Sequence, residues 1–129
     1  MRDLPGKWKL FGQLLIGLLL VLGGVQIDRI SNPFGGEIVF PEWLSISVTL
    51  LWVAGMMNAV NLIDGLDGLA AGVVAIASLG LVVAGLQAQN FFSIVVFAAL
   101  AGACAGFLVY NFFPARIFLG DAGSQFLGV

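Results

Sequence analysis

The sequence predicts an all-α protein: a polytopic membrane helix bundle of about four transmembrane helices plus the start of a fifth, in one integral membrane domain over residues 1–129. Three observations predict it. Hydrophobic residues make up 60% of the chain and mean hydropathy is +1.09, far above the roughly half-apolar composition of a soluble domain. Only 9% of residues are charged. Apolar runs of bilayer length recur along the chain, separated by short polar stretches. The same composition excludes several functions. With a net charge of -2 and no basic stripe, a nucleic-acid partner is set aside. Histidine is absent, which removes the usual general base and any Ser-His-Asp constellation. Cys104 is the single cysteine, so no disulfide can form within the chain, and it reads as a small packing residue.

Met1–Lys9 is polar, and the run behind it is too long for a signal peptide and lacks a small-residue cleavage site. Leu10–Ile27, apolar apart from Gln13 and Gln26, is the first span; at 1.5 Å per residue it covers roughly 27 Å. Asp28–Glu42 gathers Asn-Pro, Gly-Gly and Pro-Glu pairs and reads as a loop, with Trp43 at the interface behind it. The second span covers about 44–60 and runs directly into a polar stretch, as short or broken spans beside sites do. The third covers 69–86, the polar Gln87–Asn90 leaves room for a tight turn, and the fourth covers 91–113 up to Pro114. Within it Gly102 and Gly106 form a G-x-x-x-G, which lets helix backbones touch. Packing against a sister helix of the same bundle outranks a homodimer seam, which stays as the alternative. Phe126–Val129 reads as the opening of a further apolar segment, so a fragment of a larger multi-span protein is expected.

The chemistry lies between the spans. Asn58, Asn61, Asp64 and Asp67 are spaced by three directly after an apolar run, and glycines follow both aspartates. Ionisable groups at a membrane edge suggest a site, and glycine lets backbone and ligand approach closely. A second cluster, Asn111 to Ser124, contains Gly120-Asp121-Ala122-Gly123-Ser124. Two crossings separate the clusters, which returns them to one membrane face. Arg2, Lys7, Lys9 and Arg116 fall on that face and only Arg29 on the other, so the positive-inside rule makes it cytoplasmic. Three aspartates, Asp64, Asp67 and Asp121, are thus expected to converge, and like charges held close repel unless a cation sits between them. Ligands limited to oxygen favour Mg²⁺ over Zn²⁺, and Mg²⁺ commonly binds through one or two protein groups plus substrate phosphates. A diphosphate is the natural guest. Small residues opening a helix at Gly120 offer N–H groups to phosphate oxygens. The plain alternatives are an ordinary helix start capped by Asp121 or Ser124, and interhelical hydrogen bonding by Asn58 and Asn61.

Both clusters resemble motifs of the polyprenyl-phosphate N-acetylhexosamine-1-phosphate transferases, glycosyltransferase family 4. Asn58-Ala-Val-Asn-Leu-Ile-Asp-Gly-Leu-Asp-Gly-Leu-Ala70 is similar to their central motif, and Pro114-Ala-Arg-Ile-Phe-Leu-Gly-Asp-Ala-Gly-Ser124 to the next. The wording is closer to the enzymes using UDP-N-acetylglucosamine than to the phospho-N-acetylmuramoyl-pentapeptide transferases, which are the alternative. Leu4–Leu10 resembles the tail of a cytoplasmic motif whose paired aspartates would precede Met1, and a His-containing loop would follow Val129. The resemblance therefore implies truncation and a chain inactive by itself. It implies Asn61 and Asp121 as magnesium ligands, and Asp64 and Asp67 as acidic residues of the nucleotide-sugar pocket, with Asp64, Asp67 and Asp121 catalytic. It further implies Asn58, Asp67, Asn111 and Phe118 as substrate-binding residues, the last two near the uracil. The implied partners are a UDP-N-acetylhexosamine, undecaprenyl phosphate and membrane lipid. The implied location is the inner (plasma) membrane with the site on the cytoplasmic face, in cell-envelope glycan synthesis.

Other classes remain to be weighed. A transporter or channel would carry ionisable residues at mid-depth, yet spans one, three and four have none there. A structural bundle gives no reason for three aspartates on one face. A transferase of CDP-linked alcohols would hold its acidic residues in one compact run.

Overall fold

The computed structural model describes residues 6–129; Arg2 and the beginning of the Leu4–Leu10 stretch lie outside the described residues. The elements are α1 (Gly6–Leu22), β1 (Arg29–Ser31), β2 (Glu37–Val39), α2 (Glu42–Ile63), α3 (Leu69–Gln87), α4 (Phe91–Asn111) and α5 (Gly120–Leu127). Three of them, α2, α3 and α4, are long and apolar enough to cross a membrane. Residues up to Asn58 and Ala59–Gly128 form two compact units, and α2 runs from the first into the second.

In the first unit the helix stops short of the apolar run that contains it. Gly24 takes φ +83. Val25 N–H donates to Leu20 O and Gly24 N–H to Val21 O, the paired bonds of a Schellman stop. The first span, expected over 10–27, is therefore a helix only to Leu22, and it begins earlier, at Gly6. Val25–Ile27 continues as irregular chain, and the backbone of Ile27 is bonded to α2. Ile27 N–H donates to Thr49 Oγ1 at 2.9 Å, and Ser45 Oγ donates to Ile27 O at 2.8 Å. Both hydroxyl residues are buried, so both backbone polar groups of Ile27 find partners on α2. Gly17 admits Leu50 and Val53 of α2 closely, since a Cβ there would meet Leu50 Cδ2 at 3.0 Å.

The stretch expected as a loop is a small antiparallel hairpin. Arg29 pairs with Val39 and Ser31 with Glu37, and Asn32 Oδ1 accepts Phe34 N–H at 3.0 Å inside the turn. Arg29 bridges Asp28 at 3.2 Å and Glu37 at 3.3 Å on the exposed surface.

The second unit is built on α3 and α4. The helices reverse through Gln89, with φ +53, and Asn90 caps α4 by accepting Ser93 N–H at 3.1 Å. Val60, Ala70, Val74 and Cys104 form the core, flanked by Leu100, Leu119 and Leu127. Small residues let the helices approach closely, while large ones such as Ile76 and Val109 face outward, the pattern of helices that are apolar all round. Among the described residues no helix packs on Gly102 or Gly106. A Cβ at either would meet nothing within 4 Å. The buried edge of α4 runs through Ala101, Cys104 and Asn111, and the two glycines are turned away from it.

Candidate active site

The last turn of α2, the turn from Asp64 to Gly68, and the segment from Asn111 into α5 meet at one end of the α3–α4 pair. Gly68 makes the first of these turns possible. It holds φ +73 at the start of α3, a left-handed conformation natural to glycine. A Cβ there would also press on Phe112 Cδ2 at 3.3 Å and Leu108 Cδ2 at 3.5 Å.

Asn61 reaches across to α5. Its Nδ2 donates to Ser124 Oγ at 2.8 Å and to Asp121 Oδ1 at 3.2 Å. Both amide hydrogens are thus used, and among the described residues no donor reaches Asn61 Oδ1. Ser124 is fully buried; its hydroxyl donates to Gly120 O at 3.0 Å while accepting from Asn61. Sequence reasoning weighed Ser124 as a helix cap, but no side chain caps α5, whose N-cap position is Leu119. Its work is to hold Asn61 beside Asp121. Asp64, half-buried, has its carboxyl held above the ordinary carboxylate range, first by burial and then by the Asp121 charge.

Asp67 takes a different course. Its Oδ2 accepts Ala115 N–H at 3.0 Å, which ties its carboxylate to the segment after α4. Among the described residues no three acidic side chains gather into one metal-ligating group. The three aspartates share one end of the unit, but Asp64 lies within the field of Asp121 while Asp67 is drawn to a backbone N–H. Asn111 is buried, with Oδ1 accepting Gly68 N–H at 3.1 Å and Nδ2 donating to Ile117 O at 2.8 Å. Phe118 is exposed. Asn58, in the first unit, has both amide hydrogens taken, by Gln13 Oε1 at 2.9 Å and Ala54 O at 2.9 Å, and its Oδ1 accepts Gln13 Nε2 at 3.0 Å.

The donor set suits a hard cation. It holds oxygen ligands without nitrogen or sulfur, an amide oxygen with no donor, and a neighbouring carboxylate. In this structure it is the Asn61 amide nitrogen that faces Asp121 Oδ1, at 3.2 Å, so the two residues are neighbours while the amide oxygen stays open.

A family model described as glycosyl transferase family 4 matches residues 1–129. The chain belongs to glycosyl transferase family 4. Within the family it is 41% identical over 126 residues to the probable undecaprenyl-phosphate N-acetylglucosaminyl 1-phosphate transferase of Bacillus subtilis, covering 98% of this chain and 35% of the relative. It is 50% identical over 140 residues to the phospho-N-acetylmuramoyl-pentapeptide-transferase of Chlamydia muridarum, covering 98% and 42%. The enzyme of that name from Halalkalibacterium halodurans is 41% identical over 98 residues, covering 73% and 30%. The chain spans about a third of the length of these relatives. The family matched is neither a transporter family nor that of the CDP-alcohol transferases.

Proposed function

We propose that the protein transfers N-acetylglucosamine 1-phosphate, or the 1-phosphate of a related N-acetylhexosamine, from its UDP-sugar to undecaprenyl phosphate. The observation that carries this reading is the Asn61–Asp121 contact at 3.2 Å, made between residues on opposite sides of two long apolar helices. Asn61 and Asp121 would hold Mg²⁺. When bound, the ion neutralises charge on the diphosphate and on the departing UMP.

The remaining steps fall to the chain's own groups. An oxygen of the lipid phosphate attacks the sugar-linked phosphorus, and the bond from that phosphorus to the bridging oxygen breaks, releasing UMP. Asp64, whose proton affinity is raised by burial and by Asp121, accepts the remaining proton of the incoming phosphate and so strengthens it as a nucleophile. Asp67 presents its second carboxylate oxygen to the donor while Ala115 N–H fixes the first. Phe118 supplies an exposed ring on which uracil can stack. Asn111 is assigned to the base side.

A trough of about 380 Å³ lined by Leu69, Val73, Ile76 and Phe112, with Asp67 in its wall, suits a polyprenyl chain lying in lipid with its phosphate at the acidic end. The Lys and Arg distribution supports a cytoplasmic site in the plasma membrane. The single cation of the opposite loop, Arg29, is paired with Asp28 and Glu37.

A phospho-N-acetylmuramoyl-pentapeptide donor is the second reading, favoured by relatives of that activity at up to 50% identity. Radiolabelled UDP-N-acetylglucosamine, undecaprenyl phosphate and Mg²⁺ are incubated with membranes carrying the full-length protein, then extracted with organic solvent. Label in the lipid phase with UMP released is the expected result. Extraction of label only from UDP-N-acetylmuramoyl-pentapeptide supports the second reading, and no label from either overturns both.

A further inference from the structure

We infer that the β1–β2 hairpin is an interfacial anchor, whose apolar face and tip lie in the boundary between lipid headgroups and acyl chains beside the first turn of α2. The inference is independent of the proposed transfer reaction and concerns the end of α2 remote from Asn61. Residues directly opposite each other in an antiparallel pair share a face, and neighbours along a strand alternate. Ile30 pairs with Ile38, whereas Arg29 pairs with Val39 and Ser31 with Glu37. One face is thus wholly apolar, and the other holds the 3.3 Å ion pair between Arg29 and Glu37, with Val39 beside it. Ile30 and Ile38 are left 45% and 46% exposed. At the tip Phe34 is 96% exposed, on a turn fixed by three hydrogen bonds. Asn32 Oδ1 accepts Phe34 N–H, Asn32 O accepts Gly35 N–H, and Gly36 O accepts Asn32 N–H, each at 3.0 Å. All six strand residues are exposed, and a lone two-stranded hairpin is marginal in water, so an apolar environment is needed to hold this one.

Depth selects lipid as that environment. Ile27 is bonded to Ser45 and Thr49, three and seven residues into α2 from Glu42, so at 1.5 Å per residue it lies about 5–10 Å inside the start of that helix. Asp28 O accepts Phe40 N–H at 2.8 Å and closes the base of the hairpin at the next residue. The 22 residues of α2 cover about 33 Å, little more than one hydrocarbon core, so their first turn reaches only the headgroups. From Asp28 to Asn32 the chain advances at most about 13 Å. The whole hairpin is therefore within reach of the interface. Trp43, exposed in the first turn of α2, marks the same level, where indoles collect. Asp28, Arg29 and Glu37 pair with one another, which leaves the Ile30–Ile38 face free of charge. An element with one apolar face and its charges on the other lies in the interface plane, as amphipathic helices do.

The test uses the full-length protein in vesicles of phosphatidylethanolamine and phosphatidylglycerol. The photoreactive residue p-benzoylphenylalanine replaces Phe34, Ile38 or Ser31 in turn, and the adducts formed on irradiation are identified by mass spectrometry. The anchor predicts lipid adducts at Phe34 and Ile38, and their loss when the probe moves to Ser31 on the charged face. Cross-links from Phe34 and Ile38 to another segment of the chain, to a second copy or to a different protein would overturn it. Lipid adducts in equal yield at all three positions, or at none, would overturn it as well. If the substituted proteins do not accumulate, a hydrophobic aryl diazirine dissolved in the bilayer is photolysed with the wild-type protein. Label on Phe34 upholds the anchor, and its absence overturns it. Neither measurement needs turnover, so a protein that releases no UMP yet labels at Phe34 refutes the proposed reaction and leaves the anchor standing.

Discussion

Two asparagines three residues apart on α2 make opposite use of the same side chain. Asn58 and Gln13 exchange hydrogen bonds, 2.9 and 3.0 Å long, so that each amide both donates and accepts. Gln13 is 1% exposed and the pair is neutral. Asn61 donates both its hydrogens, one of them to a carboxylate, and keeps an oxygen to which no described residue donates. The first arrangement closes on itself and has nothing left to offer a ligand; it joins two helices. The second gathers negative charge and leaves an acceptor open, which is the condition of a site. In an apolar chain, then, a polar residue is assigned by what its partners leave unsatisfied, more than by its presence.

The contrast can be broken from the site side first. Asp121→Asn should lower metal-dependent turnover by about 10³-fold with expression unchanged; UMP release at the wild-type rate would sink the metal assignment. Asn61→Ala should raise the Mg²⁺ concentration for half-maximal rate by roughly 10- to 100-fold, read from a Mg²⁺ titration of UMP release. From the structural side, Gln13→Leu strands the Asn58 amide and should lower stability by about 1 kcal/mol, seen in thermal unfolding in detergent, with the Mg²⁺ requirement unaltered. Replacing Asn58 by Leu as well should recover most of that loss.

The smallest effect concerns pH. Because the folded-state pKa of Asp64 is raised, the folded protein holds a proton there that the unfolded chain has released. Stability should therefore fall as pH rises from the ordinary carboxylate value through the raised one, and level off above it. Asp121→Asn removes the charge contribution and leaves burial, so the window should narrow. Unfolding temperatures measured across that range check it, and an unchanged profile in Asp121→Asn would mean that Asp121 does not act on Asp64.

Helices of bilayer length were legible because nothing but composition and run length is needed to see them. Their ends were not. Val25 and Ile27 flank a single polar residue, Gln26, so hydropathy extended the first span past Gly23-Gly24, although that glycine pair was the available stop signal. The hairpin escaped because its strands, Arg29–Ser31 and Glu37–Val39, are too short for alternation to register. Spacing made Asp64 and Asp67 neighbours, but it could not reveal that Ala115 N–H holds one of them. Gln13 was visible only as an interruption of an apolar run, since its partner lies 45 positions away. The interhelical alternative weighed for Asn58 corresponds to the bonds it makes. For Asn61 the same alternative misses the carboxylate across from it.

Metal binding itself tests the central claim most directly, without requiring turnover. Mn²⁺, which shares the oxygen-rich octahedral preference of Mg²⁺, can be titrated into the full-length protein and its bound fraction followed by electron paramagnetic resonance. The account predicts a bound ion that is lost in Asp121→Asn and Asn61→Ala and kept in Gln13→Leu. Binding that survives in the first two variants and disappears in the third would contradict it.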